Sequence, residues 1–384
     1  MSANISFFPV DNGDMTLIKL DSGKTILIDV KIRNLENEGN NVIPDVEAKL
    51  RERIRVDDQG RPYVDVFLLT HPDQDHCLGL TNTFHLGPPE QYNTKNNKIF
   101  IRELWSSPII FRRAGHNNLV LCEDAKSFNT EAKRRINLFK KFGASQLVHG
   151  NQILILGEDE NGKTDSLQEI LVSIDSNITK INGRLDPSAS IYLLGPLPKS
   201  DIEDEEEALA KNRSSVILSI SLNVNQVQDV CRFLSGGDAE VAIWERLLSK
   251  HKNTGYLQYD ILQSPHHCSW HTLSHDSWSE LGENAVVSRD ALLALSQARH
   301  GALIISSSKP ISGIDNDPPN IRAKREYIAI TNNDPNRFKC TGEYPNTKNP
   351  DVMDFEITEY GPRLMSKPRF ANLPIIGRQP IAHG

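Results

Sequence analysis

Residues 71–76 read His-Pro-Asp-Gln-Asp-His, which places four metal-binding side chains within six positions. They stand directly behind the apolar run 64–70 (Val-Asp-Val-Phe-Leu-Leu-Thr). A strand sends successive side chains to opposite faces, whereas a loop behind a strand can bring several to one point. Carboxylates as close as Asp73 and Asp75 repel unless a cation compensates them. The alternative is a solvated acidic turn capped by histidines, and such turns rarely follow an apolar strand directly. The composition of this turn therefore predicts a metal site, with His71, Asp73, Asp75 and His76 as ligands.

Two later stretches supply partners. Asp238 follows the run 230–235 and the pair Gly236-Gly237, whose backbone freedom lets the carboxylate lean across the site. Ser264-Pro265-His266-His267-Cys268-Ser269 holds adjacent histidines, which must point in different directions. One can bind metal while the other faces the substrate or moves a proton. The reading adopted is His266 as metal ligand and His267 as catalytic residue alongside Asp75. His271 and His275, four apart, would share a helix face and read as surface residues.

The turn resembles the H-x-H-x-D-H signature of metallo-β-lactamase fold hydrolases, with Asp73 replacing the second histidine. In that form it is similar to the domain of ComEC-type competence proteins, which carry Ser/Thr-His-Pro-Asp-x-Asp-His. Thr70 to His76 matches that string at each fixed position, and Leu78-Gly79 continues it. Val10-Asp11-Asn12-Gly13-Asp14 resembles the family's Val-Gly-Gln-Gly-Asp turn, with Asp11 and Asn12 as departures. Asn212-Arg213-Ser214-Ser215 before an apolar strand, Gly237-Asp238, and Pro265-His266-His267-Cys268-Ser269 follow in the family's order over about residues 5–320.

The resemblance implies an αββα sandwich of two mixed β-sheets flanked by helices. It also implies Asp238 as a carboxylate bridging two metal ions. The superfamily carries a further metal-binding histidine between the first motif and that aspartate, for which His149 and His116 are the candidates. The late His-Pro of the competence domains has no histidine here. Asp317 stands in its place, and Lys309 nearby could meet a substrate phosphate.

Two divalent ions about 3.5–4 Å apart share a water, lower its pKa and hold it for in-line attack. Carboxylate-rich ligands favour manganese, while histidines keep zinc in contention. The expected function is a metal-dependent phosphodiesterase or nuclease. The alternatives are a small-molecule hydrolase acting on a cyclic nucleotide, a phosphorylated metabolite, or an ester, lactone or amide, and a scaffold that keeps only the fold. The expected partner is thus nucleic acid or a small phosphorylated substrate.

The elements that must position these residues are mostly strands. Residues 5–10, 15–19, 25–30, 64–70, 152–156, 190–196, 216–222, 230–235, 259–262 and 302–306 read as strands. Asn12-Gly13 signals a tight hairpin between the first two. Residues 43–55, 128–142, 239–250 and 287–298 read as helices. Residues 1–330 are expected to form one hydrolase domain and 331–384 a C-terminal extension.

The chain has 384 residues and a net charge of -7, so its overall charge does not suggest nucleic-acid binding. Charge is uneven: residues 201–207 are acidic, whereas 102–148 reads as a basic inserted segment. Between 102 and 141 nine lysines and arginines face four acids, either as a solvated helical face or as an electropositive wall for an anionic substrate. The five cysteines are scattered without a C-x-x-C pair, which predicts reduced thiols in a cytoplasmic protein. No apolar run reaches the roughly 20 residues of a membrane span, so no membrane partner is expected.

Overall fold

The strand Pro62–Leu69 is buried at every position, and its neighbours explain why. In the computed structural model, which describes residues 2–34, 43–111, 121–159, 162–198, 212–313 and 317–365, it runs parallel to Thr25–Ile28 and to Ile99–Ser106. Central parallel strands are covered on both faces and so read as continuous apolar runs. Val66 and Leu68 face a second sheet, while Phe67 and Leu69 pack beneath helices.

The first sheet has the order Gly361–Leu364, Met353–Thr358, Ala3–Phe7, Thr16–Lys19, Thr25–Ile28, Pro62–Leu69, Ile99–Ser106, Gln152–Leu156, Leu171–Val172. The second runs Asn177–Ile178, Ala189–Gly195, Ile217–Val224, Val227–Ser235, Tyr259–Gln263, Ala298–Ser306, Phe338–Cys340. Both sheets are mixed. Between them lies one apolar layer that includes Ile5, Phe7, Ile26 and Trp105 from one sheet and Ile191, Leu218, Phe233 and Ile261 from the other.

Helices close the two outer faces. Glu123–Phe142 buries Ala125, Phe128, Ala132, Ile136 and Phe139 at helical spacing against the first sheet. Glu123 and Asp124 open that helix and Lys140 and Lys141 close it, an arrangement that suits its dipole. Val241–His251, Arg289–Leu295 and Ile321–Ile330 cover the second sheet. The result is an αββα sandwich, the fold class expected. No described helix is long and apolar enough to cross a membrane.

Several expectations are adjusted. Segment 102–148 supplies most of the central strand Ile99–Ser106 and the helix Glu123–Phe142, so its described part belongs to the sandwich. Three of its arginines are answered within the molecule: Arg102 pairs with Asp65 at 3.0 Å, and Arg134 and Arg135 both reach Glu131 at 2.7 Å. Arg112, Arg113 and His116 lie outside the described residues. Residues 338–364 supply one strand to the second sheet and two to the first. The Asn12-Gly13 turn is not a tight hairpin. Ala3–Phe7 and Thr16–Lys19 do pair, with Phe7 opposite Thr16, but residues 8–15 form a longer loop between them.

Topology fixes where chemistry can sit. Val227–Ser235, Tyr259–Gln263 and Ala298–Ser306 are mutually parallel, as are Thr25–Ile28, Pro62–Leu69 and Ile99–Ser106. Their C-terminal ends gather the loops that follow, the usual position for a site in such sheets. Val216 N donates to Thr70 O at 3.1 Å, joining the two sheets at that rim.

Candidate metal centre

Asp238 is the hub. Its carboxylate is buried, and the two oxygens face different histidines. Oδ1 lies 3.1 Å from His76 Nε2 and 3.6 Å from His267 Nε2. Oδ2 lies 3.4 Å from His71 Nε2 and 3.7 Å from His266 Nε2. Farther out, Asp75 Oδ2 is 3.2 Å from His267 Nε2, and Asp73 Oδ2 is 3.6 Å from His71 Nε2. Six residues named as metal ligands from the sequence, with His267 beside them, thus converge from three loops on one point.

Two residues join them that the sequence reading left without a role. Asp14 places Oδ1 3.3 Å from His267 Nδ1. With His76, Asp238 and His267 it forms a fully buried group whose donor atoms all lie within 4.8 Å of one another. Its signal was present, since Asp14 is the aspartate of the turn likened to Val-Gly-Gln-Gly-Asp. Asp29, the acid at the end of the third strand, sits behind the cluster. It accepts a hydrogen bond from His76 Nδ1 at 2.7 Å, and from Thr70 N and Oγ1 at 2.7 and 2.6 Å. With Nδ1 held by Asp29, the His76 ring keeps Nε2 aimed at the cluster, where a cation could take it in place of a proton.

Local backbone shape makes the convergence possible. Gly13 has φ +150, and a Cβ there would lie 2.6 Å from the carbonyl oxygen of Asp75. Gly237 has φ +49 and lets Asp238 turn inward, where Ser215 Oγ receives its N–H at 3.1 Å. His266, His267 and Cys268 all adopt left-handed φ, at 49, 52 and 68. Such a run of non-glycine residues is costly and persists where surroundings over-determine it. Here His266 N donates to Gly237 O at 3.0 Å and Asn320 N to Cys268 O at 3.0 Å.

Electrostatics agree with a cation site. Burial alone would favour neutral imidazoles, but Asp238, Asp14 and Asp75 hold His267 protonated up to about 10. His76 is likewise pushed well above its ordinary value, against burial, by Asp238 and Asp29. Despite burial, Asp238 is held well below the usual carboxylate range by His76, His267 and His71. His266 goes the other way, since its burial outweighs the nearby carboxylates. Among the described residues His71 Nε2, His76 Nε2, Asp238 Oδ1, Asp14 Oδ1 and both His267 nitrogens are buried without a partner in hydrogen-bond geometry. Buried polar atoms are seldom left so. These imidazole nitrogens and carboxylate oxygens, aimed at one volume, fit a divalent cation.

Other candidates lie outside this group of atoms, with Asp317 near enough to act on His266. His149 precedes Gln152–Leu156, which runs parallel to Ile99–Ser106 with Gln152 opposite Glu103. It is therefore at the N-terminal end of the sheet, opposite the cluster, among Arg102, Asp65 and Arg184. Asp317 accepts the N–H of Trp270 at 2.9 Å, with exposed His271 3.8 Å away. His275 pairs with Glu245 at 3.0 Å on the surface.

No protein-family model and no curated protein matches the chain. Among solved structures it is similar to Igni18, a metallo hydrolase from the hyperthermophilic archaeon Ignicoccus hospitalis. That match is 12% identical, covers 92% of this chain and 100% of the other, and has a TM-score of 0.39. A likeness that distant carries no argument about chemistry, which rests on the site itself.

Proposed function

We propose that the chain is a metal-dependent hydrolase that holds two divalent cations, zinc or manganese, and cleaves phosphodiester bonds. The observation that carries this reading is the division of donors about Asp238. His76 and His267 stand at Oδ1, with Asp75 and Asp14 against His267. His71 stands at Oδ2 with Asp73 against it, and His266 lies farther out on the same side at 3.7 Å. On this reading Asp238 would be shared between the two cations.

Two roles are exchanged relative to the expectation from sequence. His267 is fully enclosed by Asp14, Asp75 and Asp238 and acts as a ligand. His266 keeps more of its ring exposed, at 16%, and faces the substrate at the rim. Asp75 and Asp73 also reach the opening, with side chains 35% and 25% exposed. Asp29 orients His76 from behind. When bound, a cation pair lowers the pKa of a water between the ions and offsets charge on the phosphoryl group.

The oxygen-rich donor set and the resemblance of residues 70–76 to ComEC-type domains support a phosphodiester substrate. A small phosphorylated molecule is a second reading, favoured by the internal pairing of Arg102, Arg134 and Arg135. Those three guanidiniums are committed inside the fold rather than to a polynucleotide backbone.

The test is a substrate screen of manganese- and zinc-loaded protein against single-stranded DNA, RNA, cyclic nucleotides and bis(p-nitrophenyl) phosphate. Wild type is expected to cleave at least one phosphodiester, and Asp75→Ala to lose more than about a hundredfold, because even residues outside the ligand set are worth ten- to a hundredfold at such sites. Cleavage of carboxylic esters or amides alone would overturn the phosphodiester assignment. No hydrolysis by fully loaded protein would overturn the enzyme.

A further inference from the structure

The opening of the cluster is not uniformly acidic. Lys31 lies two residues beyond Asp29, in a segment laid along the metal-site loop: Val30 N donates to His76 O at 2.9 Å and Ile32 N to Leu78 O at 2.8 Å. The Lys31 stem crosses Gly13 on its way toward Asp75. A Cβ on Gly13 would lie 2.5 Å from Lys31 Cδ and 3.3 Å from Asp75 Cβ. The missing side chain at position 13 is what gives the lysine its passage.

At its tip Lys31 Nζ donates to the carbonyl oxygen of Asn12. Asn12 is clamped in turn, since its side chain accepts from Lys309 N at 3.1 Å and donates to Pro318 O at 2.8 Å. The Lys31 ammonium and the Lys309 backbone therefore meet on one asparagine, and the Lys309 charge is near enough to act on Lys31. The charged groups facing the Lys31 ammonium are Asp75, Asp11, Arg33 and Lys309, and Arg33 pairs with Asp11 at 2.8 Å. Three cations less two carboxylates leave one positive charge, and two when Asp75 is committed to a metal ion. An ammonium has three donors, and Asn12 takes one.

We propose that Lys31, with Lys309 beside it, recognises the substrate's anionic group: it binds a non-bridging phosphate oxygen next to Asp75 and so selects phosphorylated substrates over neutral esters. The proposal rests on the phosphodiester reading for the identity of the substrate, while the anion subsite can be read independently of any reaction.

The test uses metal-loaded full-length protein and inorganic phosphate as the probe, titrated by calorimetry, together with KM and kcat for bis(p-nitrophenyl) phosphate. Lys31→Met is expected to weaken phosphate binding about tenfold, the worth of one charge-assisted hydrogen bond, and to raise KM similarly with kcat within about twofold. Lys31→Arg should restore most of the affinity. Lys309→Ala, at an exposed position that leaves the fold intact, should weaken binding about threefold, as an outlying charge does.

Unchanged phosphate affinity in Lys31→Met or in Lys309→Ala overturns the proposal. So does a parallel loss of bound metal in Lys31→Met, which would make Lys31 a counter-charge for Asp75 instead. Lysine-dependent phosphate binding without diester cleavage would uphold the subsite and refute the phosphodiesterase. Diester cleavage with phosphate affinity and KM untouched by either substitution would do the reverse.

Discussion

Asp238 and His267 carry the electrostatic argument at the scale of single residues. His267 is held up to about 10 in the metal-free protein by Asp238, Asp14 and Asp75, against the effect of burial and from an ordinary 6.5. A raised histidine contributes stability that is complete below its unfolded value and is lost as pH climbs through its folded one. Metal-free protein should therefore melt progressively lower between about pH 7 and pH 10. A cation competes with the same protons, so its binding strengthens as pH rises. The shift in melting temperature on adding manganese should grow over that range in differential scanning fluorimetry. A shift that shrinks with pH would contradict the site. Residues 71–76, Asp238 and His266-His267 were legible because each group is local in sequence. Asp29 was not, because a single acid at a strand end is ordinary until tertiary contact brings it to a histidine, and Asp14 was marked only as part of a turn, with no role of its own. His149, one of two candidates for a further ligand, lies away from the cluster for a related reason. Its place before a strand gave no hint that this strand runs parallel to its neighbour and so puts His149 at the far end of the sheet.

Turns decide the outcome at the scale of elements. The left-handed residues at 266–268 and the positive φ of Gly237 swing Asp238 and the histidine pair inward from the ends of two parallel strands. The turn at 11–14 makes a sharp demand, because a side chain on Gly13 would collide with backbone, the Asp75 carbonyl oxygen at 2.6 Å. Gly13→Ala is therefore expected to displace Asp75, lowering metal affinity by about tenfold or more in a chelator-competition titration, with the sandwich still folded by circular dichroism. Wild-type affinity in Gly13→Ala would show that the loop relaxes freely. Element types were mostly readable from periodicity, and boundaries less so. The helix expected at 43–55 is the shorter Val46–Arg51, capped by Asp45, and that expected at 128–142 starts at Glu123 behind Cys122. The turn signal Asn12-Gly13 was real, but its loop serves the site rather than a two-residue hairpin.

The whole molecule is two sheets closed by segments from both ends of the chain. Met353–Thr358 pairs along the length of Ala3–Phe7, and Phe355 meets Phe7 with ring centroids 6.0 Å apart. Composition could not reveal this, because the Pro- and Asn-rich stretch after 331 reads as irregular and its strands are short. Fully burying one phenylalanine is worth about 1.5–3 kcal/mol, and ending the chain at residue 337 removes Phe355, Met353 and Ile357 together. The truncated protein should lose cooperative thermal unfolding, whereas an unchanged melting temperature would make residues 338–384 dispensable. The central claim belongs to this scale too, since the site exists only where the rims of both sheets meet. It is tested most directly by elemental analysis of metal bound per chain after equilibration with zinc or manganese and removal of excess ion, for wild type and Asp238→Asn. The account expects about two ions in wild type and fewer than about one in the variant, since on the proposed reading both cations would depend on that carboxylate. Equal metal content in the two folded proteins, or almost none in either, would contradict it.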